Sequence, residues 1–188
     1  HGVEYSVKVE NTPIQLFGDG YEEITEIFGR RMYRIPRMDG FFHVEEEFGV
    51  GKGVAGGNFL IMADSQGSAL LAGEMALDGI REIPYVTGRI ASSGSKVGGR
   101  AYTGAVATTN DAFCPTISDR VKHSEVGSDV NCVYEIIVNG LDLEHVKAAM
   151  RVGIEKVKGV RGVRRITAGN YGGKLGSGRI DLHGLVGN

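Results

Sequence analysis

The chain has 188 residues, with 21 Lys and Arg against 23 Asp and Glu, a formal charge of -2. At 41% hydrophobic and 23% charged it suits one domain or two small ones with a real core, which excludes a disordered chain and a general nucleic-acid binder. No run approaches the roughly 18 apolar residues of a membrane-spanning helix, no leader is visible, and two cysteines suit a reducing cytoplasm rather than a disulfide framework or a zinc site. Glycine is the outlier, with 30 residues, more than twice the average share of about 7%. The glycines gather at 49–57, 94–104 and 159–178, where tight turns or close approach to a ligand are expected. The first residue is His1, which implies either processing or a piece of something longer.

Residues 1–38 read as an extended arm. Val3, Tyr5, Val7 and Val9 alternate with polar residues in strand fashion, Gly18-Asp19-Gly20 is a turn, and Met32–Ile35 is a short strand ended by Pro36. The arm is too small for a core of its own, and its open strand edge seeks a partner. From Phe41 onward two similar units follow. The first is a strand at Asn58–Ala63, a helix at Ser68–Ile80 and a strand at Gly88–Ala91. The second is a strand at Cys132–Val138, a helix at Leu143–Lys158 and a strand at Arg164–Thr167. Leu143, Val146, Met150, Ile154 and Val157 fall on one helical face, with Asp142 as the expected N-cap and Gly159 just past the end. Two β-α-β halves predict an α+β fold: a ferredoxin-like sandwich over residues 39–188, with an antiparallel sheet and two main helices.

Several motif matches fail on context. Gly51-Lys52-Gly53-Val54-Ala55-Gly56 fits G-x-G-x-x-G, but a strand follows it where a dinucleotide site needs a helix, so a turn that admits another backbone is the better reading. Gly172-Gly173-Lys174-Leu175 lacks the earlier glycine and the Ser or Thr of a phosphate-binding loop. Ser93-Gly94-Ser95-Lys96 fits S-x-x-K without the helix that motif requires; it reads as a polar loop in contact with substrate. His43, His123, His145 and His183 are scattered and show no metal-ligand spacing.

Glu135 stands apart. Alternation puts Val133, Glu135 and Ile137 on one face of their strand, so a carboxylate sits between two β-branched residues. Such burial is expected to raise its pKa toward the range of a proton-transfer group; a structural partner for Arg or Lys is an equal alternative on spacing alone. The loop from Thr109 to Thr116, with Asn110 and Cys114, and the strand-end residues Asn58, Ser65, Gln66 and Asn170 are candidate ligand contacts.

Seven ordered segments, FGDGYEE, GVAGGNFLIMADSQ, ASSGSKVG, TTNDAFCPT, CVYEIIVNGL, AMRVGIEKV and ITAGNYGGKLG, resemble the formylmethanofuran:tetrahydromethanopterin formyltransferases from about Phe17 to His183. The formyltransferase subunit of the bacterial formyltransferase/hydrolase complex shares several of them less closely. The resemblance implies transfer of a formyl group between methanofuran and N5 of tetrahydromethanopterin in methanogenic one-carbon metabolism. It implies no metal and no bound redox cofactor, a cytoplasmic homo-oligomer, commonly a tetramer, and neither membrane nor nucleic acid as a partner. It places the family's acid/base on Glu135 and substrate contacts at Asn58, Met62, Ser65, Gln66, Ser95, Lys96, Asn110, Cys114 and Asn170. The family carries an N-terminal lobe ahead of the segment matching residues 1–38, so the resemblance also implies a half-enzyme, or a binding subunit whose partner supplies the missing lobe.

Overall fold

The computed structural model describes residues 3–92, 111–169 and 178–187. Packing divides the chain into two units, His1–Lys52 and Gly53–Asn188.

The first unit reaches further than an arm ending at residue 38. Strand β1, Tyr5–Lys8, pairs antiparallel with β5, Glu47–Val50, so its edge finds a partner within the unit. Strands β2, Glu23–Ile27, β3, Arg30–Arg37, and β4, Gly40–Glu45, form an antiparallel meander. Phe28 and Gly29, both at positive φ, make the tight β2–β3 turn, whose twist matches that of the strands. Pro36 lies inside β3 rather than ending it. Pairing with β2 stops at Arg34, so at Pro36 the strand has one neighbour, and a residue without an N–H is accommodated there. Val9, Tyr33 and Ile35 are buried together against Ile14, Val44 and Phe48, a small cluster belonging to this unit itself.

The second unit follows the order strand, helix, strand, strand, helix, strand. β6 is Val54–Ala63, α1 Gln66–Arg81, β7 Val86–Ala91, β8 Cys132–Gly140, α2 Leu143–Val157 and β9 Val163–Thr167. The four strands form one sheet in the order β7-β8-β6-β9, with every neighbouring pair antiparallel. Helix α1 begins two residues before the expected Ser68, because the Ser65 hydroxyl accepts the Ser68 N–H at 3.2 Å and caps it. Helix α2 begins as expected: Asp142 accepts the His145 N–H at 2.9 Å. A short helix the sequence reading missed, α3 at Leu182–Val186, is capped by Asp181 and adds Leu185 to the core.

Both helices pack on the same face of the sheet. Phe59 and Ile61 of β6 and Ile136 and Val138 of β8 meet Ala72, Ala76 and Ile80 of α1 and Val146, Met150 and Ile154 of α2. Burying each of the larger of these side chains stabilises the unit by about 1.5–3 kcal/mol. The alternate residues of the same strands point to the opposite face. The glycine-rich approach to β6 admits another backbone: a Cβ at Gly53 would lie 2.8 Å from the Gly140 carbonyl oxygen. Gly56, at φ +82°, sits in an irregularity of register between Val54 and Gly57, with its N–H donated to Asn139 Oδ1 at 2.8 Å.

Candidate active site

The site lies on the sheet face turned away from the helices. β8 runs between β6 and β7, and Glu135 is paired with Leu60 on one side and Ala91 on the other. Tyr134, Ile136 and Val138 face the helix side, which leaves Glu135 on the opposite face, as alternation requires. Its side chain is 7% exposed, and among the described residues it is the one buried charged group. Asn58 of β6 pairs with Ile137, so its side chain reaches Glu135 diagonally, and Asn58 Nδ2 donates to Glu135 Oε1 at 2.8 Å.

The segment after residue 110 covers this face. Two 3₁₀ turns, Asp111–Phe113 and Pro115–Ile117, bring Phe113, Cys114, Pro115 and Thr116 over the sheet. The Glu125 N–H donates to the Ala112 carbonyl at 2.7 Å, and the Arg165 guanidinium donates to the Glu125 carbonyl. Asn131 returns the chain to the sheet: its N–H donates to the Ala63 carbonyl and its Nδ2 to the Asp64 carbonyl, both at 2.9 Å. Between cover and sheet lies a cavity of about 170 Å³ bordered by Glu135, Leu60, Ala91, Ser92, Asn131, Val133 and the Phe113–Thr116 turn. Cys132 also borders it, and burial pushes its thiol above the ordinary value of 9.0. The Cys114 sulfur lies 3.4 Å from the Thr116 hydroxyl. The cavity thus sets a carboxyl group among apolar side chains, two hydroxyls and two thiols, an arrangement that can exchange a proton with a bound ligand and donate hydrogen bonds to it.

Of the residues singled out from the sequence, the structure brings Asn58, Glu135 and Cys114 together. Met62 is fully buried on the same face, paired with Val133 and Arg165 and outside the cavity wall. Ser65 and Gln66 follow the C-terminal end of β6 and serve the start of α1: Ser65 caps it, and Gln66 Nε2 donates to the Tyr134 hydroxyl at 3.1 Å. Ser95, Lys96, Asn110 and Asn170 lie outside the described residues, as do the S-x-x-K segment and Gly172–Leu175. His145 is held by Asp142 Oδ1 at 2.7 Å and meets Tyr85 edge to face. Among the described residues no His, Cys, Asp and Glu group assembles for a metal, and no helix is long and apolar enough to cross a membrane.

Leu60, Ala91, Ser92 and Asn131 border the cavity without having been singled out. The signal for the first two was the alternation of their strands. Reading it required the β7-β8-β6 pairing, which lies in no local pattern.

Residues 40–185 match the family model described as FTR, proximal lobe. The chain belongs to this family. It is 53% identical over 176 residues to the formylmethanofuran–tetrahydromethanopterin formyltransferase of Methanothermus fervidus, and 50% identical over 178 residues to that of Methanocaldococcus jannaschii. Each match covers 92% of this chain and 59% of the relative, so the chain spans about three fifths of the length of the relatives it matches. Among solved structures, the formylmethanofuran:tetrahydromethanopterin formyltransferase of Methanosarcina barkeri superposes with a TM-score of 0.71 at 46% identity, covering 97% of this chain and 63% of that one. A chain of the formyltransferase/hydrolase complex of Methylorubrum extorquens, solved with methylofuran, superposes with a TM-score of 0.70 at 32% identity, covering 100% of this chain and 64% of its own.

Proposed function

We propose that this chain carries the proton-transfer site of a formyltransferase acting between formylmethanofuran and tetrahydromethanopterin in methanogenic one-carbon metabolism. One observation carries the reading: a buried glutamate on the floor of a small cavity, oriented by the Asn58 amide, in a chain whose relatives bear that enzyme's name. N5 of the pterin attacks the formyl carbon, and the carbonyl oxygen takes up charge in a tetrahedral intermediate. Glu135 accepts the proton from N5 and returns it to the methanofuran nitrogen as that carbon–nitrogen bond breaks. Hydroxyls bordering the cavity, Ser92 and Thr116, are suited to stabilise the oxyanion, an effect of about 3 kcal/mol per well-placed donor. No metal or redox cofactor enters this sequence of steps.

The lobe that holds the site is read as a ferredoxin-like sandwich. Its strand-helix-strand, strand-helix-strand order, the sheet order β7-β8-β6-β9 and the two helices on one face support that reading. Ser95, Lys96, Asn110 and Asn170 stay among the proposed substrate contacts through their matching segments, with Met62, Ser65 and Gln66 beside them. A cytoplasmic homo-oligomer, or a partner that supplies the rest of the relatives' length, completes the picture. The likeness to a chain of the formyltransferase/hydrolase complex supports a second reading, a binding subunit that holds ligand without turnover.

Glu135→Gln separates the two. It keeps shape and hydrogen-bonding reach but cannot exchange a proton. On the catalytic reading it folds, binds tetrahydromethanopterin nearly as before and loses roughly 10²–10⁴-fold in turnover. Unchanged turnover reduces Glu135 to a structural partner. Binding without turnover in both variant and parent favours the binding subunit.

A further inference from the structure

We propose that Arg89 is the anionic-group anchor of the Glu135 site, holding a carboxylate or phosphate of the ligand whose reacting end enters the cavity. The inference rests on the reading that this face binds substrate. The cavity of about 170 Å³ falls short of the roughly 300–1,000 Å³ that encloses a whole small molecule. It therefore admits a head group, and the remainder of the ligand must lie outside its mouth. Side chains at that mouth then decide orientation.

The sheet places Arg89 one row from the cavity wall, on the same face. On β7, Ile90 packs into the helix-side core, and a Cβ at Gly88 would meet Leu77 and Ile80 of α1. Arg89, between them, therefore points to the cavity side. Its pairing partner is Ile137, which also pairs with Asn58, so Arg89, Ile137 and Asn58 form one row across the sheet. Ala91, Glu135 and Leu60 form the next row, and all three border the cavity. Arg89 thus flanks Glu135 diagonally from β7 as Asn58 does from β6, a spacing of about 7–8 Å by pairing geometry that long side chains bridge. Its side chain is exposed, and no described carboxylate pairs with it. A guanidinium in that position offers two parallel donors to a carboxylate or phosphate, which fixes direction as well as distance. Arg89 is accordingly a positioning residue, one that contacts the ligand away from the reacting atoms.

Calorimetric titration of the full chain with tetrahydromethanopterin and, separately, with formylmethanofuran tests this and tells which of the two carries the bound oxyanion. Arg89→Gln is expected to weaken one of them about tenfold or more and to remove most of the salt dependence of that affinity. Arg89→Lys should recover part of the loss, and Arg161→Gln, a charge removed from the turn between α2 and β9, should change nothing. Ala91→Leu, which fills the cavity floor, tests the site itself. If Ala91→Leu weakens binding while Arg89→Gln leaves affinity and salt dependence at the parent values, the proposal is overturned and the site stands. If the parent binds neither ligand, or Ala91→Leu has no effect on binding, the site assignment and the proposal fall together.

Discussion

At Gly57 the side chains of helix α2 lie directly against the sheet backbone, and replacing it with alanine tests the packing that supports the site. A Cβ there would lie 2.4 Å from Val146 Cγ1 and 3.2 Å from Met150 Sδ. Carbon atoms pack best at about 3.5–4.0 Å, so Val146 must retreat by about 1 Å. It has little room, being fully buried on α2 and stiff at χ1. Overpacking of this kind costs about 1–3 kcal/mol. The alanine also restricts the unfolded chain, which returns about 0.4–1 kcal/mol at a position whose φ is not positive. The net expectation is destabilisation by about 1–2 kcal/mol. Urea unfolding reads this directly: with a slope of about 2 kcal/mol per molar, the midpoint falls by about 0.5–1 M at constant slope. Val146→Ala opens the space the new methyl needs, so the double variant should be more stable than the sum of the two single changes predicts. A midpoint for Gly57→Ala equal to or above the parent's would falsify the claim that α2 is held against the strand by this missing side chain.

Three further outcomes follow from local chemistry. Ser65→Ala removes the α1 cap and should lower stability by about 1 kcal/mol in urea unfolding; an unchanged midpoint would show that the Ser65 hydroxyl does not hold the helix start. The Asp142 carboxyl is held below the usual value of 3.8, first by the His145 backbone N–H and then by the His145 side chain. Its contribution to folding is therefore complete above the unfolded carboxyl pKa and disappears as pH falls through the lower folded one. Asp142→Asn, which still caps, should flatten that part of an acid titration followed by circular dichroism, and an unaltered titration would count against the assignment. Cys132, with its thiol raised by burial, should alkylate more slowly at pH 8 than free glutathione and speed up steeply at higher pH. Peptide mapping by mass spectrometry that shows equal rates would contradict this.

The second unit was largely legible because its signals are local. The spacing from Leu143 to Val157 and the Asp142 cap define α2, and alternation through Cys132–Val138 sorts Glu135 from Ile136 before any partner strand is known. Pairing was not legible. The Asn58–Glu135 hydrogen bond joins residues 77 apart in sequence, and nothing near either residue encodes the other. Ser65 shows the opposite difficulty: a polar residue at a strand end fits both a ligand contact and a helix cap, and the cap becomes visible only from where α1 begins. Pro36 reads as a stop in the sequence because proline denies a sheet one hydrogen bond. That denial matters only where the missing N–H would face a neighbouring strand, which sequence does not reveal.

Strand β8 is secured along both edges, by β6 and by β7, and its helix-facing side chains are sealed into the core. The backbone beneath Glu135 is thus a fixed bed: advancing it toward a ligand by even 1 Å means dragging the sheet and both helices along. Reach is supplied by the Glu135 side chain's own rotation, by the ligand's depth of entry and by the Phe113–Thr116 turn above it. Changes in ligand preference within such an architecture are accordingly expected to accumulate in the cover and on the rim strand β7, while the bed beneath keeps its residues.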